Sequence, residues 1–355
     1  MRTLIIGDHF IGAGLVRHAI ATTLGGDFGP VRSVDWAGET MEEQHAEQQV
    51  MEWDGPEAVR TPTEIVEAVG DAEIIATHFA PISAAVLEAG EHLRAVVVAR
   101  AGVENVNLDA ATRRDVAVVN IQGRNANAVA EQVVGLMLSE TRDLARNDAA
   151  IRAGGWSSKP ASSVFEIATR TVGLIGFGHV GRMLARRLSG FEVTILVYDP
   201  YVDAATITAH GGQKVDDFDR IFRESDIVSL HARLTDETHR FIGREHFELM
   251  APTAYFINAA RSRMVDYAAL HDALAGGQIA GAALDVHEDE PLPADSPWRR
   301  LPNVTLTPHT AGATPEVWTN SAQLVADAIR ELVHSGTAIN TLNPAAGNQR
   351  ALPIR

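Results

Sequence analysis

The sequence predicts an α/β protein made of two doubly wound parallel-sheet domains. Three observations carry that prediction. Short apolar runs alternate with segments of helical spacing along most of the chain. One apolar run near the middle ends in a turn with three closely spaced glycines and then enters a helical segment. The chain has 355 residues at 46% hydrophobic composition, enough for two cores.

A strand in a parallel sheet is covered on both faces, so it reads as a continuous apolar run. On that criterion the strands are Leu4–Ile6, Ile74–Thr77, Ala95–Ala99, Val116–Asn120, Val172–Ile175, Val193–Tyr198, Ile227–Leu230, Ala254–Asn258, Ala280–Leu284 and Val304–Leu306. Thr63–Val69, Ser83–Ala89, Met183–Leu188 and Tyr267–Ala275 carry helical spacing between them. Asn127–Ala153 reads as one long helix with Val129, Val133, Leu136, Met137 and Leu144 on one apolar face. It either bridges the two domains or also supplies a dimer interface. Gly7, Gly12 and Gly14 follow the first strand at the wrong spacing for a phosphate-binding turn; they form either part of a cleft at a strand end or a plain turn. Residues 343–355, rich in Pro, Gly and Asn, read as a tail.

Composition narrows the function classes. Thirty Lys and Arg stand against 46 Asp and Glu, and the net charge of −16 disfavours nucleic acid and anionic membrane as partners. No apolar run approaches the ~20 residues of a membrane span. The chain lacks cysteine, which removes disulfides, thiolate nucleophiles and zinc–thiolate sites and is compatible with a reducing cytoplasm. Lysine occurs only at Lys159 and Lys214, and no Gly-Lys-Ser/Thr follows a glycine-rich turn. Schiff-base chemistry therefore has few candidates, and a P-loop nucleotidase is excluded.

The richest stretch is Thr171–Gly181, TVGLIGFGHVG, with Asp199 eighteen residues beyond Gly181. Gly176 permits a tight turn out of the strand. Gly178 lets the backbone approach a pyrophosphate, and Gly181 lets the next helix, Arg182–Leu188, pack against the strand. That helix's N-terminal N–H groups and dipole then face the phosphates. Asp199 ends the following strand, where a carboxylate accepts hydrogen bonds from a ribose diol and repels a 2′-phosphate. The combination predicts a Rossmann-like dinucleotide site that takes NAD over NADP.

Such a site implies hydride transfer, and the substrate then needs a charge anchor and a proton carrier. Arg261, after Ala254–Asn258, has the guanidinium to bind a carboxylate bidentately and polarise a carbonyl. Glu290 and His309 supply a carboxylate–imidazole pair, in which the carboxylate stabilises the imidazolium that protonates a developing alkoxide. His287 to Glu290 has the composition of a metal cluster, but four consecutive residues cannot all face one ion, so no metal is assigned.

The chain closely resembles the D-isomer-specific 2-hydroxyacid dehydrogenases. The resemblance runs from about Ile74 to Thr337, and its pieces occur in family order. They are Arg100-Ala101-Gly102 with Asn105, Ala128-Val129-Ala130-Glu131, the glycine turn with Tyr198-Asp199-Pro200, and Leu230-His231 with Leu234–Thr238. Asn258–Arg261, Ala283–Val286 through Glu290-Pro291, and Pro308-His309 complete the series.

The resemblance implies a flavodoxin-like substrate domain from residues 1–124 and 310–342, and an inserted NAD-binding domain from residues 125–309. The two close over a cleft, and the family is usually dimeric through the cofactor domain. Arg261, Glu290 and His309 would be catalytic. Cofactor contacts would come from Gly176, Gly178, His179, Val180, Gly181, Tyr198, Asp199, Pro200, His231, Ala232, Thr235, Ala259, Ala260, Asp285 and Gly312, with Asp285 on the nicotinamide carboxamide. Backbone N–H groups around Ala101, Gly102 and Val103, next to Arg100, would hold the substrate carboxylate. His78 either faces that pocket or caps its strand. The implied activity is NAD-dependent interconversion of a D-2-hydroxy acid and its 2-oxo acid, by a cytoplasmic homodimer whose partner is that small acid.

The sequence departs from the family at Ser262-Arg263 after the catalytic Arg, at Arg233, and in a loop after Arg100 shortened by about two residues. Arg233 and Arg263 either recognise a second anionic group or face solvent. Two other readings share the architecture. A formate dehydrogenase pairs its His with Gln where this chain has Glu290. An NAD-sensing corepressor keeps the catalytic groups, but long disordered binding arms are absent here.

Overall fold

A computed structural model of the chain describes residues 1–25, 29–36, 40–157, 159 and 163–343. In chain order the elements begin with β1 (Thr3–Gly7), α1 (Ala13–Leu24), β2 (Val31–Asp35), α2 (Met41–Asp54), α3 (Thr63–Val69), β3 (Ile74–Thr77), α4 (Ala84–Ala89), β4 (Ala95–Val98), α5 (Leu108–Arg113) and β5 (Ala117–Asn120). There follow α6 (Ala126–Thr141), α7 (Leu144–Arg152), β6 (Thr171–Ile175), α8 (His179–Leu188), β7 (Thr194–Tyr198), α9 (Ala204–Ala209), β8 (Gly212–Lys214), α10 (Phe218–Glu224) and β9 (Ile227–Leu230). The chain continues through α11 (Arg244–Leu249), β10 (Tyr255–Asn258), α12 (Tyr267–Ala275), β11 (Gly281–Leu284), β12 (Val304–Leu306) and α13 (Pro315–Ser335).

The chain divides into two compact units. Unit 1 is Met1–Arg124 together with the described residues from Thr314 on; unit 2 is Asn125–Ala313. Unit 1 holds a five-stranded sheet in the order β2-β1-β3-β4-β5, and unit 2 a seven-stranded sheet in the order β12-β11-β10-β9-β6-β7-β8. Every pairing in both sheets is parallel.

The period-2 alternation of strand side chains explains why these runs are wholly apolar. In unit 1, Ile5, Ile74, Ala76, Val97 and Val119 face one core with α1 and α13. Leu4, Ile6, Ile75, Val96, Val98 and Val118 face the other, with α3, α4 and α5. Unit 2 repeats the plan. Val172, Leu174, Val197 and Ile257 pack with α6 and α8, while Ile175, Leu196, Val228 and Phe256 pack with α10 to α12. Each fully buried Leu, Ile or Val contributes about 2 kcal/mol.

The strand order reverses between β1 and β3 in unit 1 and between β6 and β9 in unit 2. Ligands bind open α/β sheets outside the carboxyl ends of the strands at such switch points. The glycine turn after β6 and His231 after β9 lie at the switch point of unit 2, and Asp8 and His78 at that of unit 1, whereas Arg261, Glu290 and His309 follow β10, β11 and β12 along the same carboxyl edge.

Several sequence expectations change. The expected helix Asn127–Ala153 is two helices, broken at Asp143, whose φ of 54° is left-handed. The break resets the helical phase, so Leu144 is 54% exposed and leaves the stripe that buries Val129, Val133, Leu136 and Met137. Helix α6 belongs to unit 2 and packs on that sheet. The helix after the glycine turn starts at His179, not Arg182. Strands β2 and β8 went unpredicted. Both are sheet edges with polar residues, Val-Arg-Ser-Val-Asp and Gly-Gln-Lys, because only one neighbour covers them.

Near the N-terminus, Asp8 closes a tight turn, its Oδ1 accepting from the Phe10 and Ile11 N–H groups at 2.9 and 2.7 Å. At the other end, Asn343, the first residue of the expected tail, is held by β5. Its Oδ1 accepts from the Val118 N–H at 2.8 Å, and its Nδ2 donates to the Val116 carbonyl at 2.9 Å. The rest of that expected tail, residues 344–355, lies outside the described residues.

Candidate active site

At the switch point of unit 2 the glycines occupy the positions their chemistry requires. Gly176 leaves β6 at φ 96°, and a Cβ there would lie 2.6 Å from the Ala232 N that follows β9. The turn and residues His231-Ala232 are therefore in direct backbone contact. A Cβ on Gly181 would lie 2.5 Å from the Gly176 carbonyl oxygen, so only glycine allows the first turn of α8 to sit this close to the strand. Gly178 is the N-cap of α8 and contributes no side-chain cap; a Cβ there would meet nothing within 4 Å. The first N–H groups of α8, with His179 exposed and Val180 half-buried, thus lack a side-chain cap beside open space. Uncapped amides at a helix N-terminus fit a dinucleotide pyrophosphate.

Asp199 has a task the sequence did not disclose. Its Oδ2 accepts from the Phe177 N–H at 2.7 Å, and its Oδ1 from the Tyr201 and Val202 N–H groups at 2.8 and 3.1 Å. It braces the glycine turn and the turn after β7, while a carboxylate still has a lone pair to offer. Tyr198 packs on Phe218, with ring centroids 4.8 Å apart, and Pro200 is exposed. Enclosure of the His231 ring holds its imidazole below the ordinary value, with Ser229 Oγ 2.9 Å from Nε2. Thr235 is exposed and bonded to Thr238; Ala259 and Ala260 are half-buried after β10. Gly312 is tight against Asn125, where a Cβ would lie 2.6 Å from Nδ2.

His309 Nδ1 lies 2.7 Å from Glu290 Oε2. Burial by itself pushes the Glu290 carboxyl up. The hydrogen bond and charge of His309 and the N–H of His287 outweigh it, so the group is held below the usual carboxylate range. The pair combines an ionised carboxylate with a solvent-accessible imidazole.

Asp285 is fully buried. Its Oδ1 accepts from Thr307 Oγ1 at 2.5 Å and the Thr310 N–H at 3.0 Å, and its Oδ2 from the Ala311 N–H at 2.9 Å. It clasps the chain on both sides of His309. Arg261 is exposed, and its Nη1 donates to the Ala260 carbonyl at 2.8 Å; no described hydrogen bond joins it to Glu290 or His309. Arg233 is exposed, and Arg263 is partly buried next to Arg240 in the backbone bonding.

The residues expected to hold substrate lie in unit 1. His78 follows β3, is 2% exposed, and has Nδ1 3.0 Å from Asp8 Oδ2. Burial pushes its imidazole down to about 4, against the opposing effect of Asp8. Arg100 donates to Glu52 and Glu104 at 2.8 and 3.2 Å and lies over the Phe79 ring. Asn120 Nδ2 donates to the Ala101 carbonyl at 2.5 Å. Gly102 is crowded by Glu104, and the Val103 carbonyl accepts from the Val106 N–H at 2.8 Å. Asp8 escaped the sequence reading; an aspartate directly after the first strand was its only signal.

Comparison with known proteins agrees with this architecture. Residues 134–311 match the family model described as D-isomer-specific 2-hydroxyacid dehydrogenase, NAD-binding domain. A glyoxylate reductase of Thermofilum pendens is 39% identical over 278 residues, covering 77% of this chain and 80% of its own length. A D-3-phosphoglycerate dehydrogenase of Methanocaldococcus jannaschii is 34% identical over 284 residues, covering 80% of this chain and 54% of its own. The chain thus spans about half the length of the curated phosphoglycerate dehydrogenases it matches. A solved D-isomer-specific 2-hydroxyacid dehydrogenase from Lactobacillus delbrueckii ssp. bulgaricus, in its NAD-complexed form, shares the fold with a TM-score of 0.76 at 22% identity. That match covers 96% of this chain and 100% of the other.

Proposed function

This chain belongs to the D-isomer-specific 2-hydroxyacid dehydrogenase family, and from that premise we propose that it interconverts a D-2-hydroxy acid and its 2-oxo acid with His309 as the acid–base group. Its cofactor is NAD, which supplies the hydride chemistry when bound. The observation that carries the proposal is the 2.7 Å contact between His309 Nδ1 and Glu290. That contact commits Nδ1 to the carboxylate and leaves Nε2 to exchange a proton. In reduction, imidazolium Nε2 protonates the oxygen that becomes the hydroxyl; in oxidation, the neutral ring removes that proton.

The remaining roles follow from charge and position. The Arg261 guanidinium would bind the acid's carboxylate and polarise its keto oxygen. The Ala101, Gly102 and Val103 N–H groups, next to Arg100, would hold the substrate carboxylate, and enclosure of His78 against Asp8 favours the reading that it caps its strand. Gly176, Gly178 and the start of α8 would hold the pyrophosphate, and Asp199 the adenosine ribose. Family resemblance adds the expectation of a cytoplasmic homodimer. Among the described residues no helix is long and apolar enough to cross a membrane.

The test is a panel: glyoxylate, hydroxypyruvate, pyruvate, phosphohydroxypyruvate and keto sugar acids with NADH or NADPH, and formate with NAD. Turnover of a 2-oxo acid with NADH is expected. Formate oxidation without oxo-acid reduction, or NADH binding with no turnover of any acid, would overturn the proposal.

A further inference from the structure

We propose that His287 is a positioning residue for proton transfer: its ring holds the carbonyl that fixes the backbone of His309. The inference rests on His309 being the acid–base group.

His309 has φ 55°, in the left-handed region that a non-glycine residue enters only when its surroundings hold it there. Two sets of bonds do so. Asp285 clasps Thr307, Thr310 and Ala311, on either side of the histidine. The Thr307 carbonyl oxygen then accepts two bonds, from the His309 N–H at 3.1 Å and from His287 Nε2 at 2.9 Å. The first folds the chain back across Pro308; the second anchors that fold to the segment after β11.

His287 also grips the other half of the pair. Its backbone N–H donates to Glu290 Oε1 at 2.9 Å, while Glu290 Oε2 meets His309 Nδ1 at 2.7 Å. One residue therefore orients the carboxylate through its main chain and the histidine turn through its side chain. The backbone bond survives substitution, so the side-chain contribution can be isolated.

The chemistry of the ring is constrained. Because Nε2 faces a carbonyl oxygen, it must carry a hydrogen. His287 is 7% exposed, and Nδ1 has no hydrogen-bond partner among the described residues. The ring therefore donates through Nε2 to the Thr307 carbonyl oxygen. A metal role has no support either, since no group of three or more potential ligands forms among the described residues. An apolar ring of similar size would fill the space and leave the Thr307 carbonyl on its 3.1 Å bond alone. Small displacements of a reacting group cost rate while leaving remote binding intact.

The experiment compares His287→Phe, His287→Gln and His309→Ala. His287→Phe should lower kcat about tenfold with the Kd for NADH unchanged. His287→Gln, whose amide N–H can reach the same carbonyl, should restore most of that loss. Wild-type kcat in His287→Phe, or equal impairment in His287→Gln, overturns the proposal. Nitrogen-15 histidine spectra of the intact wild-type protein test it without relying on a variant's folding: His287 must carry a hydrogen on Nε2, and an Nδ1–H tautomer with a bare Nε2 refutes the assignment. If His309→Ala retains turnover, the reading of the reaction itself fails. If His309→Ala is inactive and His287→Phe is not impaired, only the positioning role fails.

Discussion

The His78–Asp8 pair of unit 1 and the His309–Glu290 pair of unit 2 both lie at the carboxyl edge of a sheet, and the two are put to different use. His78 and Asp8 follow β3 and β1, at the switch point of unit 1, with side chains 3% and 0% exposed. His309 and Glu290 follow β12 and β11 in unit 2, with side chains 35% and 15% exposed. The contacts are comparable, at 3.0 and 2.7 Å. In the enclosed pair the cost of desolvating a cation outweighs the attraction of Asp8, and Arg124 and Arg100 add repulsion, so His78 is neutral. Access to water, more than the partner, decides whether such a pair can carry a proton or braces a turn.

Breaking the open pair should have the largest effect. His309→Ala is expected to lower kcat by about 10²- to 10⁴-fold, the usual worth of a general acid–base group. Fluorescence titration with NADH should show nearly unchanged affinity; retained turnover would remove His309 from the mechanism.

Breaking the closed pair should show in stability and its pH dependence. The unfolded chain protonates His78 near 6.5 and the folded one only near 4. Stability is therefore complete above about pH 6.5 and declines as pH falls toward 4, by about 3 kcal/mol. His78→Asn keeps a donor toward Asp8 and removes the titration. Urea unfolding at pH 7.5 and 4 should show a smaller acid loss in the variant, and parallel curves would contradict the burial argument.

The smallest effect is expected at Asp199, which touches cofactor chemistry and loop structure together. Asp199→Ser should weaken NAD and reduce its preference over NADP by about tenfold. Because Asp199 also receives the Phe177, Tyr201 and Val202 N–H groups, the affinity for both cofactors should fall. An unchanged preference ratio would reassign Asp199 to bracing the turn alone.

The legible parts of the chain are those under a local constraint. Strands β1, β3, β6 and β9 are buried on both faces, so they had to be apolar runs. Gly176 and Gly181 are dictated by a positive φ and a close backbone approach, and a glycine is visible in any sequence. The edge strands β2 and β8 obey weaker constraints and carry weaker patterns. The helix break at Asp143 left no proline or glycine to mark it.

Sequence alone thus determined the α/β class, the dinucleotide turn and the candidates Arg261, Glu290 and His309, because each depends on residue type and short spacing. Tertiary structure decided what those residues do to one another. Asp8 meets His78 across seventy positions, Asp285 holds a loop more than twenty residues away, and His287 reaches Thr307 across twenty. No local pattern encodes such contacts. They arise when parallel strands bring distant carboxyl ends to one edge, and there burial sets the charge that each group carries.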